Sequence, residues 1–370
     1  MGAMKQVMYM MGVLLGSLAL VGCATQRDAS GTTVRGAEGA PAIERLARDI
    51  ANVLPSSDAA AAIVVVDEHG PVYAFAGNTK VHRGTGFEFA SVTKVMTATL
   101  IAMLANEGRI DLDTAVTEYI EDDELNEGWD SVTARQLLTH TAGVPTFPPN
   151  LNPVLLWLRG RASDPFAGYT SDRLLAGIRR SRPRAQRRWE YSNYGYAVLG
   201  YLAERQTGVS YASLLHERVL VPAGMTHSAV DRWAVADVAP PLSRSGAPAN
   251  PFQFDAMAPA GAVRGTIEDA AAFLSAALDA CSSDGELASA LCASFAPQRG
   301  EAEWPYDMGL GWVRSGRGSD TVVWHNGGTA GASTFLGFAE DASIALAILS
   351  NTAGLRQIDQ LGLEFLGQRR

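Results

Sequence analysis

Lysine is scarce in this chain of 370 residues: Lys5, Lys80 and Lys94 are its only lysines, and the rest of the 30 lysine and arginine residues are arginines. Arginine does not deprotonate in proteins, whereas a buried lysine can lose its proton and serve as a base. A lysine beside a potential nucleophile therefore carries more information here than in a chain of average composition. Lys94 is such a lysine, because it follows Ser91 at the spacing Ser-x-x-Lys.

Other absences exclude whole classes of protein. The formal net charge of −9 argues against non-specific nucleic-acid binding, which requires a basic face. The six histidines are scattered, with no His-Glu-x-x-His and no cluster of cysteine and histidine, so we expect no metal site and no cofactor. The chain also lacks the Gly-x-Ser-x-Gly nucleophile elbow, which argues against the usual α/β-hydrolases.

The N-terminus has the pattern of a targeting segment. Residues 7–21 are nearly all apolar, but this run is too short for a membrane-spanning helix and predicts a signal peptide over residues 1–22. The run ends at Cys23 in a sequence that resembles a bacterial lipobox, which predicts a lipid on that cysteine; the alternative is an ordinary signal peptide with a chance cysteine. Residues 23–40 are small and polar and predict a flexible tether. Because Ala24 is not aspartate, the resemblance implies an exported, lipid-anchored protein at the periplasmic face of the outer membrane.

Strand-like runs occur near both ends of the chain, and helical spacing dominates its middle. The predicted strands are residues 60–66, 72–76, 309–313, 321–325, 334–339 and 343–349, and the main predicted helices are 41–53, 91–106, 133–138, 194–207 and 354–366. The turns between the last four strands are too short for parallel crossovers, so these strands should be antiparallel. The sequence therefore predicts one α/β domain of the α+β type over residues 41–370. Its antiparallel sheet is formed by both chain ends and flanked by helices, with a mainly helical insertion over roughly residues 100–300.

Two local features have alternative interpretations. Cys281 and Cys292 flank a predicted turn, and an exported protein can keep either a disulfide or two buried thiols there. Residues 179–188 are rich in arginine and form either a solvated loop or a collar that attracts anionic substrate or lipid headgroups.

Ser91 is the candidate nucleophile. A serine hydroxyl needs a base to take its proton, and residues three apart on a helix share a face, so Lys94 can reach it. The N-terminus of a helix also favours developing negative charge.

Two further elements supply polar groups. Tyr191 and Asn193 form a Tyr-x-Asn element, in which a phenolate can act as a base and an amide can orient a substrate. His325 ends a predicted strand, and Gly327 and Gly328 after it let the backbone approach a ligand closely. An exposed N–H there could join the N–H of the nucleophile in an oxyanion hole. Taken singly, a buried tyrosine, a capping asparagine or a strand-end histidine is the commoner interpretation of each residue.

Five ordered motifs together resemble the class C β-lactamase-like serine hydrolases. They are residues 87–94, 137–143, 189–196, 259–261 and 324–328. This group includes penicillin-recognising D-Ala-D-Ala peptidases, D-aminopeptidases and family VIII esterases. The resemblance covers roughly residues 41–368 and implies a β-lactamase/transpeptidase-like fold.

The resemblance also implies roles for single residues. Ser91 would be acylated, while Lys94 and Tyr191 would share the duties of base and acid. Asn193 would bind the amide side of the substrate, and the N–H groups of Ser91 and Gly328 would form the oxyanion hole.

One position departs from the pattern of many relatives. His325 stands where those relatives have the lysine of a Lys-Thr-Gly motif, and with Gly327 it would complete the substrate-binding strand. A histidine is charged mainly below neutrality, which weakens the interpretation as an efficient β-lactamase. His140 lies in a segment that is structural in the relatives, so we assign it no catalytic role.

The predicted function is acyl transfer to water through an ester on Ser91. Its substrate would be a cell-wall D-amino-acid peptide, a β-lactam or a small ester. The alternative is a catalytically silent, penicillin-binding-like lipoprotein. As partners we expect this small-molecule or peptidoglycan-peptide substrate and the membrane, reached through the lipid on Cys23, and we expect a monomer.

Overall fold

An antiparallel sheet of seven strands forms the centre of the structure, a computed structural model that describes residues 40–120, 122, 124–151, 164–183, 189–298, 307–316, 318–340 and 344–367. Its strands lie in the order β2-β1-β10-β9-β8-β7-β6. Their bounds are β1 Ala60–Asp67, β2 Gly70–Gly77, β6 Asp307–Met308, β7 Val313–Ser315, β8 Val322–Gly328, β9 Ser333–Ala339 and β10 Ile344–Ser350. Because β1 pairs directly with β10, both chain ends build one sheet, which confirms the predicted architecture.

Alternation along the strands divides the core into two clusters. Ile63 and Val65 of β1 pack on one side of the sheet, and Val64 and Val66 pack on the other. Side chains of a strand point alternately to opposite faces, so a run of consecutive apolar residues indicates a strand buried on both faces. Helices therefore cover both faces of this sheet.

The helices lie close to the predicted positions. The α-helices are α1 Ala40–Ala51, α2 Thr93–Asn106, α3 Thr117–Ile120, α4 Ala134–Leu138, α5 Ser171–Arg180, α6 Asn193–Thr207, α7 Tyr211–Leu215, α8 Ile267–Asp279, α9 Glu286–Phe295 and α10 Gln357–Gly367. Capping explains several bounds: Thr266 caps α8 in a capping box, and Gly208 ends α6 at a φ of 72°. Within the part of the chain that the structure describes, no helix is long and apolar enough to cross a membrane.

A second, small sheet lies beside the start of α2. It has the order β3-β5-β4, with β3 Gly86–Glu88, β4 Ala229–Val230 and β5 Val263–Thr266. Phe89 extends the pairing by donating its backbone N–H to the carbonyl of Val263. This sheet therefore fixes the segment that leads into Ser91.

The prediction of a strand over residues 309–313 is wrong. The chain turns there between β6 and β7, and Gly311 has a φ of 78°, which a side chain rarely tolerates. The N–H of Gly309 bonds to the carbonyl of Trp312, and the N–H of Leu310 bonds to Ser294 on α9. The apolar residues of this segment are buried as a hairpin turn.

The two cysteines of the C-terminal half form a disulfide. Cys281 follows α8, Cys292 lies on α9, and their Cα atoms are 5.0 Å apart. Of the two alternatives left open by the sequence, the structure has the disulfide. The predicted signal peptide, Cys23 and the tether up to residue 39 lie outside the described residues.

Candidate active site

Ser91 lies in a short turn just before α2. The turn Ala90–Val92 is a 3₁₀ helix, and Ala90 has a left-handed backbone with a φ of 49°. This conformation costs a non-glycine residue about 1–2 kcal/mol, and such costs are concentrated at functional sites. The turn aims the side chain of Ser91 into a cavity rather than into the core.

Lys94 is fully buried beneath Ser91, on the first turn of α2. Its Nζ lies 3.2 Å from Ser91 Oγ, 2.7 Å from Asn193 Oδ1 and 2.7 Å from the carbonyl oxygen of Ala260. Burial lowers the pKa of Lys94 well below its usual value, because the charged ammonium loses its hydration. The structure thus brings together the predicted serine and lysine and adds two carbonyl oxygens from distant segments.

Two threonines of α2 hold residues 259–263 against this helix. Thr97 donates from its hydroxyl to the carbonyl of Pro259, and the hydroxyl of Thr93 accepts the N–H of Val263. The carbonyl of Ala260 between them is therefore kept within reach of Lys94. The Pro-Ala-Gly motif of the sequence acts here through its backbone.

Tyr191 lies close to Lys94 and to Ser91, whose side chain partly offsets the effect of burial on the pKa of the Tyr191 phenol. Nζ of Lys94 is 4.9 Å from the centre of the Tyr191 ring and 5.3 Å from that of Tyr196. Burial raises the pKa of Tyr191, so the side chain is a neutral phenol at neutral pH. Burial thus has different consequences for the two groups: Lys94 loses its charge more readily, and Tyr191 keeps its proton.

His140 positions the tyrosine, a role that the sequence did not reveal. Its Nδ1 accepts the backbone N–H of Ser192 at 3.1 Å, and its carbonyl accepts the N–H of Glu190 at 2.8 Å. The imidazole also packs on the Tyr191 ring, with the two ring centres 4.6 Å apart. A left-handed φ of 60° at His140 directs both groups toward this segment.

Asn193 begins α6 and is buried beside the lysine. Ser192 caps this helix by accepting the N–H of Gly195 at 2.8 Å, so the helix N-terminus points at the site. The side-chain oxygen Oδ1 of Asn193 accepts a hydrogen bond from Lys94, so the side-chain N–H groups of Asn193 remain for a ligand.

Strand β8 forms another wall of the site and passes very close to the turn Ala90–Val92 that carries Ser91. A Cβ at Gly327 would lie 2.7 Å from the carbonyl oxygen of Phe89 and 2.9 Å from Cβ of Ala90, so only glycine fits. Thr334 on β9 locks this approach by donating from its hydroxyl to Phe89 O at 3.0 Å.

The N–H of Gly328 points into the cavity. The N–H of Thr329, the next residue, bonds to the carbonyl of Ala332 across the β8–β9 turn. N–H groups of successive strand residues point to opposite sides, so that of Gly328 faces away from β9. Gly328 and Ser91 both line the cavity, as the predicted oxyanion hole requires.

His325 is buried and neutral in this site. Burial, followed by the nearby charge of Lys94, lowers the pKa of His325 to about 3, although its Nδ1 contacts the carbonyl oxygen of Asn326. The expectation of a histidine that gains charge just below neutrality is corrected by this burial. The site therefore has a neutral imidazole where many relatives have a lysine.

The buried carboxyl group of Glu88 lies just before the turn Ala90–Val92 in the chain. Glu88 accepts a hydrogen bond from Thr329, the residue after Gly328, and stands opposite Arg264 in the small sheet. Burial raises the pKa of Glu88 from 4.5 to about 7, despite the opposing effect of Arg264. Asp359 on α10 behaves in the same way behind β8: it accepts from Asn326, and burial raises its pKa to about 7.

The arginine-rich run is only partly described. Arg179, at the end of α5, pairs with Asp122 and Glu124 at 2.9 Å each, so its charge is balanced locally. Residues 184–188 lie outside the described part of the chain, and the collar remains a prediction.

Comparisons with known proteins assign the chain to a family. The family model described as beta-lactamase matches residues 55–366, so the chain belongs to the β-lactamase family. The residues of the site described above lie within the matched range.

Two curated proteins and one crystal structure are similar to this chain. The chain is 32% identical over 162 residues to penicillin-binding protein 4 of Amycolatopsis lactamdurans, covering 40% of this chain and 39% of that protein. It is 31% identical over 146 residues to protein flp of Staphylococcus aureus, covering 39% of this chain but only 28% of flp. The curated relatives are thus matched over less than half of their own length. The crystal structure of D-alanine carboxypeptidase AmpC from Burkholderia cenocepacia is 21% identical with a TM-score of 0.73, covering 90% of this chain and all of that one.

Proposed function

We propose that this protein hydrolyses an amide or ester bond through an acyl-enzyme on Ser91. The contact set of Lys94 carries the proposal. Asn193 Oδ1 and the carbonyl of Ala260 can only accept hydrogen bonds, so they take two N–H bonds of a neutral amine. The lone pair is left for the third neighbour, the hydroxyl of Ser91.

The proposed acylation involves proton transfers among Ser91, Lys94, Tyr191 and the leaving group. Oγ of Ser91 bonds to the substrate carbonyl carbon while its proton moves to Lys94. The N–H groups of Ser91 and Gly328 hold the resulting oxyanion. When the tetrahedral intermediate collapses, the C–N or C–O bond breaks, and the phenol of Tyr191 gives its proton to the leaving amine or alcohol. The proton on Lys94 restores the phenol. In deacylation, water attacks the ester carbonyl carbon and loses a proton to Lys94, and Lys94 returns that proton to Oγ of Ser91 as the bond between the carbonyl carbon and Oγ breaks.

The proposed substrates are D-amino-acid peptides of the cell wall, β-lactams or small esters. Likeness to a penicillin-binding protein and to a D-alanine carboxypeptidase supports the first class. The neutral His325 favours esters, and peptides without a free C-terminal carboxylate, over β-lactams, which carry a carboxylate that a fixed cation would hold.

Two active-site probes test the proposal. A fluorescent penicillin and a fluorophosphonate are incubated with the protein and with Ser91→Ala, and intact mass spectrometry locates adducts. We expect a Ser91 adduct with at least one probe and none with the variant. No adduct with either probe would leave the catalytically silent lipoprotein as the better account, and labelling of Ser91→Ala would exclude Ser91 as the nucleophile.

We also propose that the protein is exported, lipidated on Cys23 and held as a monomer at the periplasmic face of the outer membrane. The lipobox-like sequence before Cys23 and Ala24 after it support this. Expression of the full chain with an alkyne-labelled fatty acid tests it: the native chain should be labelled and sediment with outer membranes, and Cys23→Ser should not.

A further inference from the structure

Three phenylalanines wall the cavity beside Ser91. The ring centre of Phe166 lies 5.5 Å from that of Phe254 and 5.9 Å from that of Phe252, and the latter two are 5.9 Å apart. The remaining lining of the cavity consists of Ala90, Ser91, Asn193, Ala260, Gly261 and Gly328. A cavity next to the nucleophile is thus aromatic on one side.

An ion pair behind this wall holds two of the rings. Arg264 donates to the carbonyl oxygen of Phe252, and Asp231 Oδ2 accepts the N–H of Phe254 at 3.0 Å. Nη2 of Arg264 lies 3.4 Å from Oδ1 of Asp231, and Arg264 is buried. The backbone that carries both phenylalanines is therefore fixed by charged groups that face away from the cavity.

Hydrogen bonds tie the segment that carries Phe166 to the same wall. Asp255 Oδ2 accepts the N–H of Gly168 at 2.6 Å, and the N–H of Ala256 bonds to the carbonyl of Tyr169 at 3.0 Å. Two chain segments far apart in sequence are thus joined just after Phe166. The aromatic wall is therefore preformed, which lowers the entropy that a ligand must lose on binding.

The described residues that line the cavity include no lysine, arginine, aspartate or glutamate. Below it, Lys94 has a lowered pKa and is committed to three neighbours, and Arg264 is committed to the wall. A carboxylate placed in this cavity would lose its hydration without gaining a cation, at a cost of several kcal/mol. Apolar groups, in contrast, are favoured by the rings.

We propose that this cavity binds the apolar acyl group of an uncharged substrate, which makes Phe166, Phe252 and Phe254 specificity-determining residues. The proposal rests on the acyl-enzyme proposed above. Ligand pockets are lined mainly by apolar and aromatic side chains, and the lining of this cavity suits a short acyl chain. Each methylene buried in it should raise kcat/KM about fourfold until the cavity is filled.

A series of p-nitrophenyl esters tests this substrate class on the unaltered protein. We expect kcat/KM to rise by about tenfold or more from acetate to butyrate. Hexanoate should exceed, by at least about tenfold, the p-nitrophenyl monoester of adipic acid, which has the same chain length but ends in a carboxylate. A flat series, or a preference for the adipate ester, would overturn the proposal.

Substitutions of the phenylalanines test whether their rings cause the dependence of kcat/KM on acyl chain length. Phe254→Ala should reduce the butyrate-to-acetate ratio by about threefold or more, and Phe254→Leu should restore part of it. Phe295→Ala is the control, because Phe295 packs on Phe338 and does not line the cavity. Rates are normalised to the fraction of protein that a fluorophosphonate labels, which corrects for misfolded variants. An unchanged ratio in Phe254→Ala would contradict the role of the wall.

The same labelling separates the two proposals. If Ser91 is labelled and esters are turned over without dependence on chain length, only the acyl pocket fails. If Ser91 is not labelled and no ester is hydrolysed, the acyl-enzyme fails, and the pocket proposal fails with it.

Discussion

Nζ of Lys94 donates a 2.7 Å hydrogen bond to Oδ1 of Asn193, an uncharged partner for a buried amine. A carboxylate at this position would stabilise the ammonium form, whereas an amide oxygen accepts a hydrogen bond without adding a negative charge. This pairing orients the amine while burial keeps its pKa low. The chemical consequence is a lysine that is held in place and still able to accept a proton.

The first prediction concerns Asn193→Asp, which changes the amide to a carboxylate of almost the same shape. The new charge should raise the pKa of Lys94 and move the acid limb of the kcat/KM profile upward by about 1–3 pH units. Rate measurements from pH 5 to 10 on the best p-nitrophenyl ester check this. Asn193→Ala is the control: it should lower the plateau without an upward shift of the limb. Equal acid limbs in Asn193→Asp and the native protein would show that Lys94 is not the titrating base.

The second prediction concerns the base itself. Lys94→Arg keeps a cation but removes the ability to accept a proton, so kcat/KM should fall by about 10²–10⁴. The only other lysine outside the predicted signal peptide, the exposed Lys80, supplies the matched control, because Lys80→Arg should leave the rate unchanged. A Lys94→Arg protein with more than a tenth of native activity would exclude a lysine base.

The third prediction concerns His140 as a positioning residue. His140→Ala removes both the ring on Tyr191 and the acceptor for the N–H of Ser192, and misplacement of Tyr191 should lower kcat by about 100-fold with little change in KM. His140→Asn should recover part of kcat, since asparagine tolerates the left-handed backbone and offers an acceptor oxygen. If both variants raise KM and leave kcat unchanged, His140 acts on binding and not on Tyr191.

The fourth prediction concerns pH and stability. The pKa of buried Glu88 is about 7 in the folded protein, so the folded state binds this proton more tightly than the unfolded state. Its stabilising effect is complete below about pH 4.5 and is lost as the pH rises through 7, a difference of about 3 kcal/mol. Glu88→Gln should therefore raise Tm more at pH 8 than at pH 5. Asp359 contributes with the same sign, and Asp359→Asn gives an independent measurement. A larger gain at pH 5 would contradict the raised pKa.

The fifth prediction concerns the disulfide. Cys281 and Cys292 close a loop with a sequence separation of 11, which in the chain-entropy model contributes about 3 kcal/mol. The double substitution Cys281→Ser with Cys292→Ser should lower the free energy of unfolding in urea by up to this amount and leave kcat/KM unchanged. Reducing agent should lower the Tm of the native protein and not that of the variant. An equal response of both proteins would mean that the bridge does not form in solution.

Local spacing accounts for what the sequence could predict of the site. Ser91 and Lys94 are one helical turn apart, so their contact follows from the geometry of a single helix. The β-branched run in β1 and the short turns before β9 and β10 similarly predict antiparallel strands at both chain ends. The segment 309–313 was mistaken for a strand, because a buried hairpin turn has the same apolar composition as a strand.

Contacts between distant segments decided the rest. The carbonyl of Ala260 reaches Lys94 from 166 residues away in the sequence, and His140 reaches the segment of Tyr191 across 52 residues to Ser192. No local pattern encodes such pairs. Burial decided the charges in the same way: His325 and Tyr191 have ordinary pKa values in a solvated chain, and only the loss of water around them makes both neutral. The sequence by itself determined the contact between Ser91 and Lys94 and the presence of the strands, because these depend on neighbours along the chain. The tertiary structure alone decided the pKa directions of Lys94, Tyr191 and His325 and the aromatic wall beside Ser91, because hydration and long-range contacts exist only once the chain has folded.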